Sequence, residues 1–162
     1  MKRKKLRNLV ISVLVLLICA GLFYWSITRF SEGKRADFLY CLDGDSMMFK
    51  VEGKEVEVRL LSINCPEISE EYGIEARDLS RKVLSEAEEI RLVEEERSTE
   101  FDKYGRRLYW VYADGELLQK ILLENGLAKV DYVYGEYDLL DELRNAELEA
   151  EIKHIGLWKK DE

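Results

Sequence analysis

Between Arg7 and Arg29 the chain carries no charge, and the 21 residues from Asn8 to Thr28 are dominated by Leu, Val and Ile. As a helix such a run rises about 31 Å at 1.5 Å per residue, enough to cross the apolar core of a bilayer. Basic residues crowd its N-terminal flank, and Phe23-Tyr24-Trp25 falls where an interfacial aromatic belt belongs. The pattern predicts one transmembrane helix, with the lipid bilayer as a partner through residues 8–28. The excess of positive charge before it keeps the N-terminus in the cytoplasm and puts the rest of the chain outside. Cys19-Ala20-Gly21 offers small residues for a cleaved signal and a secreted product, but the apolar run continues past them.

Beyond Phe30 the spacing changes. Phe38–Leu42, Ser46–Val51 and Glu55–Leu61 are short apolar or alternating runs separated by the turn residues Asp43-Gly44 and Glu52-Gly53-Lys54. They read as consecutive antiparallel strands. Val56, Val58 and Leu60 keep a period of two against Glu55, Glu57 and Arg59. After Pro66, the chain's only proline, the positions Ile74, Ala76, Leu79, Val83, Leu84 and Ala87 take helical spacing. Ile90–Val93 and Arg107–Tyr112 read as two more strands. Asp114-Gly115 turns into a helix over Glu116–Glu124 that Asn125-Gly126 closes, Ala128–Tyr134 is extended, and Asp138–His154 is a charged amphipathic helix ended by Gly156. The expected fold class is α+β: a small closed barrel of five strands with three helices, preceded by the transmembrane helix. Residues 1–30 form the basic head and anchor and residues 31–162 the domain.

Charge sharpens that division. The first 30 residues hold six basic and no acidic side chains, leaving 19 basic against all 33 acidic beyond them, a net −14. Such a surface repels nucleic acid as a whole. The one histidine, His154, sits at a helix end, so no Ser-His-Asp or Cys-His arrangement can be built, and no Cys or His pairs stand at zinc-ligand spacing. Cys41 and Cys65 leave either a disulfide or two separate thiols open. Any catalysis falls to carboxylates and arginines, and any metal to oxygen ligands, which suits calcium or magnesium.

Residues of those types recur in a fixed order. Asp43-Gly44-Asp45-Ser46 is followed by Val58-Arg59-Leu60, Asn64-Cys65-Pro66-Glu67, Gly73-Ile74-Glu75-Ala76, Asp102-Lys103-Tyr104-Gly105-Arg106, Gly126-Leu127-Ala128-Lys129-Val130 and Gly156-Leu157-Trp158. The series resembles the staphylococcal nuclease (thermonuclease) family over nearly all of Phe38–Trp158. The resemblance implies a five-stranded OB-type barrel with three helices. It also implies a nuclease that uses one calcium ion to hydrolyse phosphodiester bonds of DNA or RNA with little sequence preference.

Carried over position by position, the resemblance makes Asp45, Asn64 and the backbone carbonyl of Cys65 the metal ligands, with Asn64 standing where the family has an aspartate. Asp43 lies behind them. Glu67 is the base that orients or deprotonates the attacking water, and Arg59 and Arg106 grip the phosphate. Lys103, Tyr104, Tyr132 and Tyr134 line the nucleotide pocket. These types suit the chemistry: guanidiniums match phosphate in shape and charge, a carboxylate makes water a nucleophile, and aromatic faces stack bases without reading sequence. Single-stranded or short DNA or RNA is the expected partner, and no protein partner is predicted. The alternative is an OB-type module that binds a protein or nucleic acid without catalysis.

Overall fold

The computed structural model describes residues 11–21 and 33–160, and the chain divides into two compact units, Met1–Glu32 and Gly33–Glu162. In the first, residues 11–21 form helix α1. Among the described residues no helix is long and apolar enough to cross a membrane. This overturns the single-pass anchor, with the outward location and the bilayer contact drawn from it. The rest of the 8–28 run, including Phe23-Tyr24-Trp25, lies outside the described residues, as does part of what a signal cleavage would turn on.

In the second unit the chain enters as β1 (Lys34–Arg35) and β2 (Asp37–Cys41), then β3 (Ser46–Val51) and β4 (Lys54–Leu60). The last three pair antiparallel in sequence order, as the alternation predicts, with a register shift in β2 between Phe38 and Tyr40. The β3–β4 turn places Glu52 and Gly53 at φ 50° and 82°, the left-handed pair that a tight hairpin needs and that glycine supplies without strain. After β5 (Ile63–Asn64) comes helix α2 (Gly73–Glu86), then β6 (Ile90–Val93) and β7 (Arg107–Ala113). Strand β7 pairs antiparallel with β6 and parallel with β4, Leu60 standing opposite Tyr109. The short β8 (Glu116–Leu117) returns onto β7 before α3 (Leu118–Glu124), so the helix starts two residues later than its spacing suggests. Strand β9 (Lys129–Val130) pairs with β5, and α4 (Leu140–Lys153) packs on α3.

The expected closed five-stranded barrel with three helices is corrected here. The structure is a mixed α+β fold with four α-helices among the described residues. The main sheet has seven strands in the order β1-β6-β7-β4-β3-β2, with β8 on β7, and β5–β9 is a separate ladder. Closure requires the two outer strands of the path to pair with each other. Here they are successive pieces of one extended segment, divided only by Ala36, whose N–H donates to Ile90 O at 3.1 Å. One piece bonds β6 and the other β3, and no ladder joins them.

Trp110, Phe49, Met47, Leu60, Leu92, Leu118, Leu122 and Leu143 are fully buried between the sheet and helices α2–α4. Cys41 and Cys65 are free thiols. Two glycines lock the far side. Gly126 and Gly156 have φ of 63° and 55°, and a Cβ on Gly126 would lie 2.2 Å from Ile155 O, while one on Gly156 would lie 2.3 Å from Gly126 O. Leu157 N donates to Gly126 O at 2.8 Å across this contact.

Gly126→Ala therefore destabilises far more than Gly53→Ala, whose Cβ would meet nothing within 4 Å. In urea titrations Gly53→Ala costs about 1 kcal/mol for its left-handed backbone. Gly126→Ala adds at least about 2 kcal/mol for the backbone clash.

Candidate active site

The turn before β3 is built by its own side chains. Asp43 Oδ1 accepts from the amides of Asp45 (3.0 Å) and Ser46 (2.6 Å), an Asx turn that leaves Asp45 pointing inward. Helix α2 presses on this turn from behind. A Cβ on Gly44 would come within 2.8 Å of Ala76 and Cys65, and the fully buried Ser80 hydroxyl donates to Gly44 O at 2.6 Å. Only glycine lets the turn sit that close.

Asp45 is 4% exposed. Its Oδ2 accepts from Cys65 N at 2.6 Å and pairs with Arg59 Nη2 at 2.9 Å. Arg59, itself buried in β4, also donates from Nη1 to Leu60 O at 3.0 Å and from Nη2 to Asn64 Oδ1 at 3.1 Å. Its guanidinium lies 5.8 Å from the centre of the Tyr132 ring. The structure thus brings Asp43, Asp45, Arg59, Asn64 and Cys65 together, and it is the amide of Cys65 that touches Asp45.

Arg106 joins the same network from the turn before β7. Asp102 accepts from Arg106 Nε at 2.7 Å and from the amides of Tyr104 and Arg106 at 2.9 Å, while Arg106 Nη1 donates to Ser46 Oγ at 3.0 Å. Burial works against the charge of Asp102, but those hydrogen bonds outweigh it and hold its carboxyl below the usual range. Tyr104 lies beneath two cations, Lys103 at 4.9 Å and Arg106 at 5.5 Å from its ring centre. The Lys103 ammonium is raised by the Tyr104 hydroxyl first, with Tyr132 and Tyr134 also contributing. Tyr104, Tyr132 and Tyr134 are all widely exposed, leaving ring faces open to solvent.

Glu67 stands apart. It is exposed, and among the described residues its carboxylate makes no hydrogen bond or ion pair. Only its backbone is fixed: its N–H donates to Glu70 Oε2 at 2.9 Å, and Gly73 packs so near that a Cβ there would fall 1.9 Å from Glu67 O. Sequence reasoning gave no role to Asp102, Ser46 or Ser80. The four-residue spacing of Asp102 and Arg106 was a usable signal for the first; nothing local marks the other two, because their partners are 60 and 36 residues away.

Asp45, the amide oxygen of Asn64 and nearby backbone carbonyls are all oxygen donors, the kind a hard cation takes. Burial first, and then Asp43, push the Asp45 carboxyl up to about 7 against the pull of Arg59. The donors fit such a cation in kind. They are sparse in charge: among the described residues no three of His, Cys, Asp and Glu gather into a metal-holding group.

The sequence profile described as "Staphylococcal nuclease homologue" matches residues 57–160. The chain is 33% identical over 126 residues to Endonuclease YncB of Bacillus subtilis, covering 74% of this chain and 59% of that protein. It is 32% identical over 126 residues to the SPbeta prophage-derived endonuclease YokF of the same organism, covering 74% and 42%. To the Thermonuclease of Staphylococcus hyicus it is 27% identical over 123 residues, covering 72% and 71%. The chain thus spans about half the length of the two Bacillus relatives.

The raised Asp45 carboxyl sets a pH dependence. The folded chain holds a proton up to about pH 7 that an ordinary aspartate, at 3.8, has already released. This group therefore costs nothing near pH 4, lowers stability as pH rises towards 7, and keeps its full cost above that. Asp45→Asn removes the cost. By denaturant unfolding in chelating buffer the parent loses stability relative to this variant as pH rises from 4 to 8, a loss the variant does not show.

Proposed function

Because the chain belongs to the staphylococcal nuclease homologue family, we propose that its 33–162 unit is a calcium-dependent nuclease that hydrolyses DNA or RNA with little sequence preference. The observation that carries this reading is the single hydrogen-bonded network joining Arg59, Asp45, Ser46 and Arg106. It sets two guanidiniums and a buried carboxylate around one spot at the edge of an exposed aromatic patch.

In this reading Arg59 and Arg106 hold the phosphodiester and offset the charge that builds on its oxygens during in-line attack. Asp45, Asn64 and the Cys65 carbonyl hold calcium, with Asp43 shaping the turn behind them. When bound, the ion adds positive charge beside the phosphate and polarises water. Glu67 takes the proton as the water oxygen attacks phosphorus and the bond to the leaving sugar oxygen breaks. Lys103, Tyr104, Tyr132 and Tyr134 receive the nucleotide, the tyrosine faces stacking bases.

Charge shapes the substrate. The domain's excess of acid repels an extended duplex, while Arg59 beside Tyr132 and Lys103 and Arg106 beside Tyr104 supply local positive charge. Short or single-stranded nucleic acid, bound weakly and with strong salt dependence, fits that field. The uncharged Asn64 lowers the ligand charge and with it calcium affinity. The free-standing Glu67 carboxylate favours a second reading, a nucleic-acid-binding module without catalysis.

Purified chain incubated with heat-denatured DNA in millimolar calcium is expected to cleave it and to stop on addition of chelator. Glu67→Gln and Arg106→Ala each lower the rate by about 100-fold or more. DNA binding without cleavage in calcium, equal in parent and Glu67→Gln, establishes the binding module instead.

A further inference from the structure

Ser46 bonds Asp43, Asp45 and Arg106 of the network and faces Arg59 across the ladder. It begins β3 directly opposite Arg59 in the β3–β4 register, its amide donates to Asp43 Oδ1 at 2.6 Å, and it is 1% exposed. Its hydroxyl lies 3.3 Å from Asp45 Oδ1 and 3.0 Å from Arg106 Nη1. The direction of both bonds is forced. A guanidinium only donates, so the hydroxyl's lone pairs face Arg106 and its single proton points to Asp45 Oδ1.

Arg106 comes from a turn 60 residues further along the chain, and only two side chains hold its guanidinium by hydrogen bonds. Asp102 takes Nε, on the arginine's own turn, and Ser46 takes Nη1, across the site. Asp102 moves with the turn and cannot by itself fix where the guanidinium stands relative to Asp45. Ser46 can, because it directly follows Asp45 at the start of β3. Nη2 of Arg106 makes no hydrogen bond among the described residues and is the edge left for an oxyanion.

We propose that Ser46 is a positioning residue of the phosphate site, its hydroxyl fixing the Arg106 guanidinium at a set distance from the Asp45 carboxylate. Resting on the nuclease reading above, this assigns the alignment of Arg106 to a residue that itself contacts no substrate. Loss of the hydroxyl leaves Arg106 tied to its own turn alone, with the guanidinium free to swing out of register with whatever Asp45 holds.

Ser46→Thr and Ser46→Val test this in the full chain, since they share a shape that suits a strand and differ only in the hydroxyl. The readouts are anisotropy of a fluorescein-labelled oligothymidylate with calcium at low salt, kcat and KM on denatured DNA, and thermal unfolding. Ser46→Thr is expected to stay near the parent. Ser46→Val is expected to bind the oligonucleotide about tenfold or more weakly, as loss of an orienting partner does. In an Arg106→Ala background the difference between Thr and Val vanishes. If Ser46→Val fails to fold, Ser46→Ala takes its place. Equal binding and turnover by Thr and Val overturn the proposal alone. So does a Thr–Val difference that persists without Arg106, since the hydroxyl would then act on packing. A parent that binds no oligonucleotide in calcium overturns both this proposal and the nuclease reading on which it rests.

Discussion

The ion pair of Asp45 with Arg59 is the constraint around which the site is organised. Both side chains are nearly out of water, where an unpaired charge is costly and a single missing partner is felt as several kcal/mol. Three segments must therefore meet: the turn before β3, strand β4 and the Asn64-Cys65 stretch that donates the Cys65 amide. Helix α2 is fixed by the same requirement, since Gly44 and Ser80 bring it flush against that turn. Even so, burial overrides Arg59 and leaves the carboxyl raised. Tolerance of that arrangement sets the site apart from a structural salt bridge, which settles with both partners at ease.

What the sequence made legible were the local elements. Alternation in β3 and β4, helical spacing in α2 and α4, and the Asp-Gly and Asn-Gly turns all sit within a residue or two of where they were read. The ordered motifs also found the cluster of Asp43, Asp45, Arg59, Asn64, Cys65 and Arg106. Their types were constrained by chemistry, and their order by the chain path. Illegible was whatever depends on distant partners. The edges of the sheet are set by how one extended segment divides its hydrogen bonds at Ala36, which no periodicity records. Hydropathy over residues 8–28 suggested a span, and among the described residues no helix is long and apolar enough to make one. Glu67 falls between these cases: its position follows the motif, but its carboxylate meets none of the groups the motif implied.

The nucleotide face has a different character from the interior of the site. Arg59 and Asp45 are buried and locked, whereas Tyr104, Tyr132 and Tyr134 stand in water, Tyr104 beside the Lys103 and Arg106 heads. Rigid charge recognition next to adaptable ring faces is a division of labour. The first is common to every nucleotide, and the second accommodates whichever base follows. On the proposed reading, little sequence preference follows from that pairing.

The glycine contact between Gly126 and Gly156 ties the order of synthesis to the order of assembly. Strand β9, which pairs with the β5 residue Asn64, is held on its other side by α4, through Glu147 Oε1 on Val130 N at 2.9 Å. Residues 140–158 then close over α3 at the two glycines. A ribosome releases these segments after everything else in the domain, so Asn64 and Tyr132 are drawn into place only once they emerge. The β5–β9 pairing, and with it the setting of Asn64, thus waits on the last segments of the domain to fold.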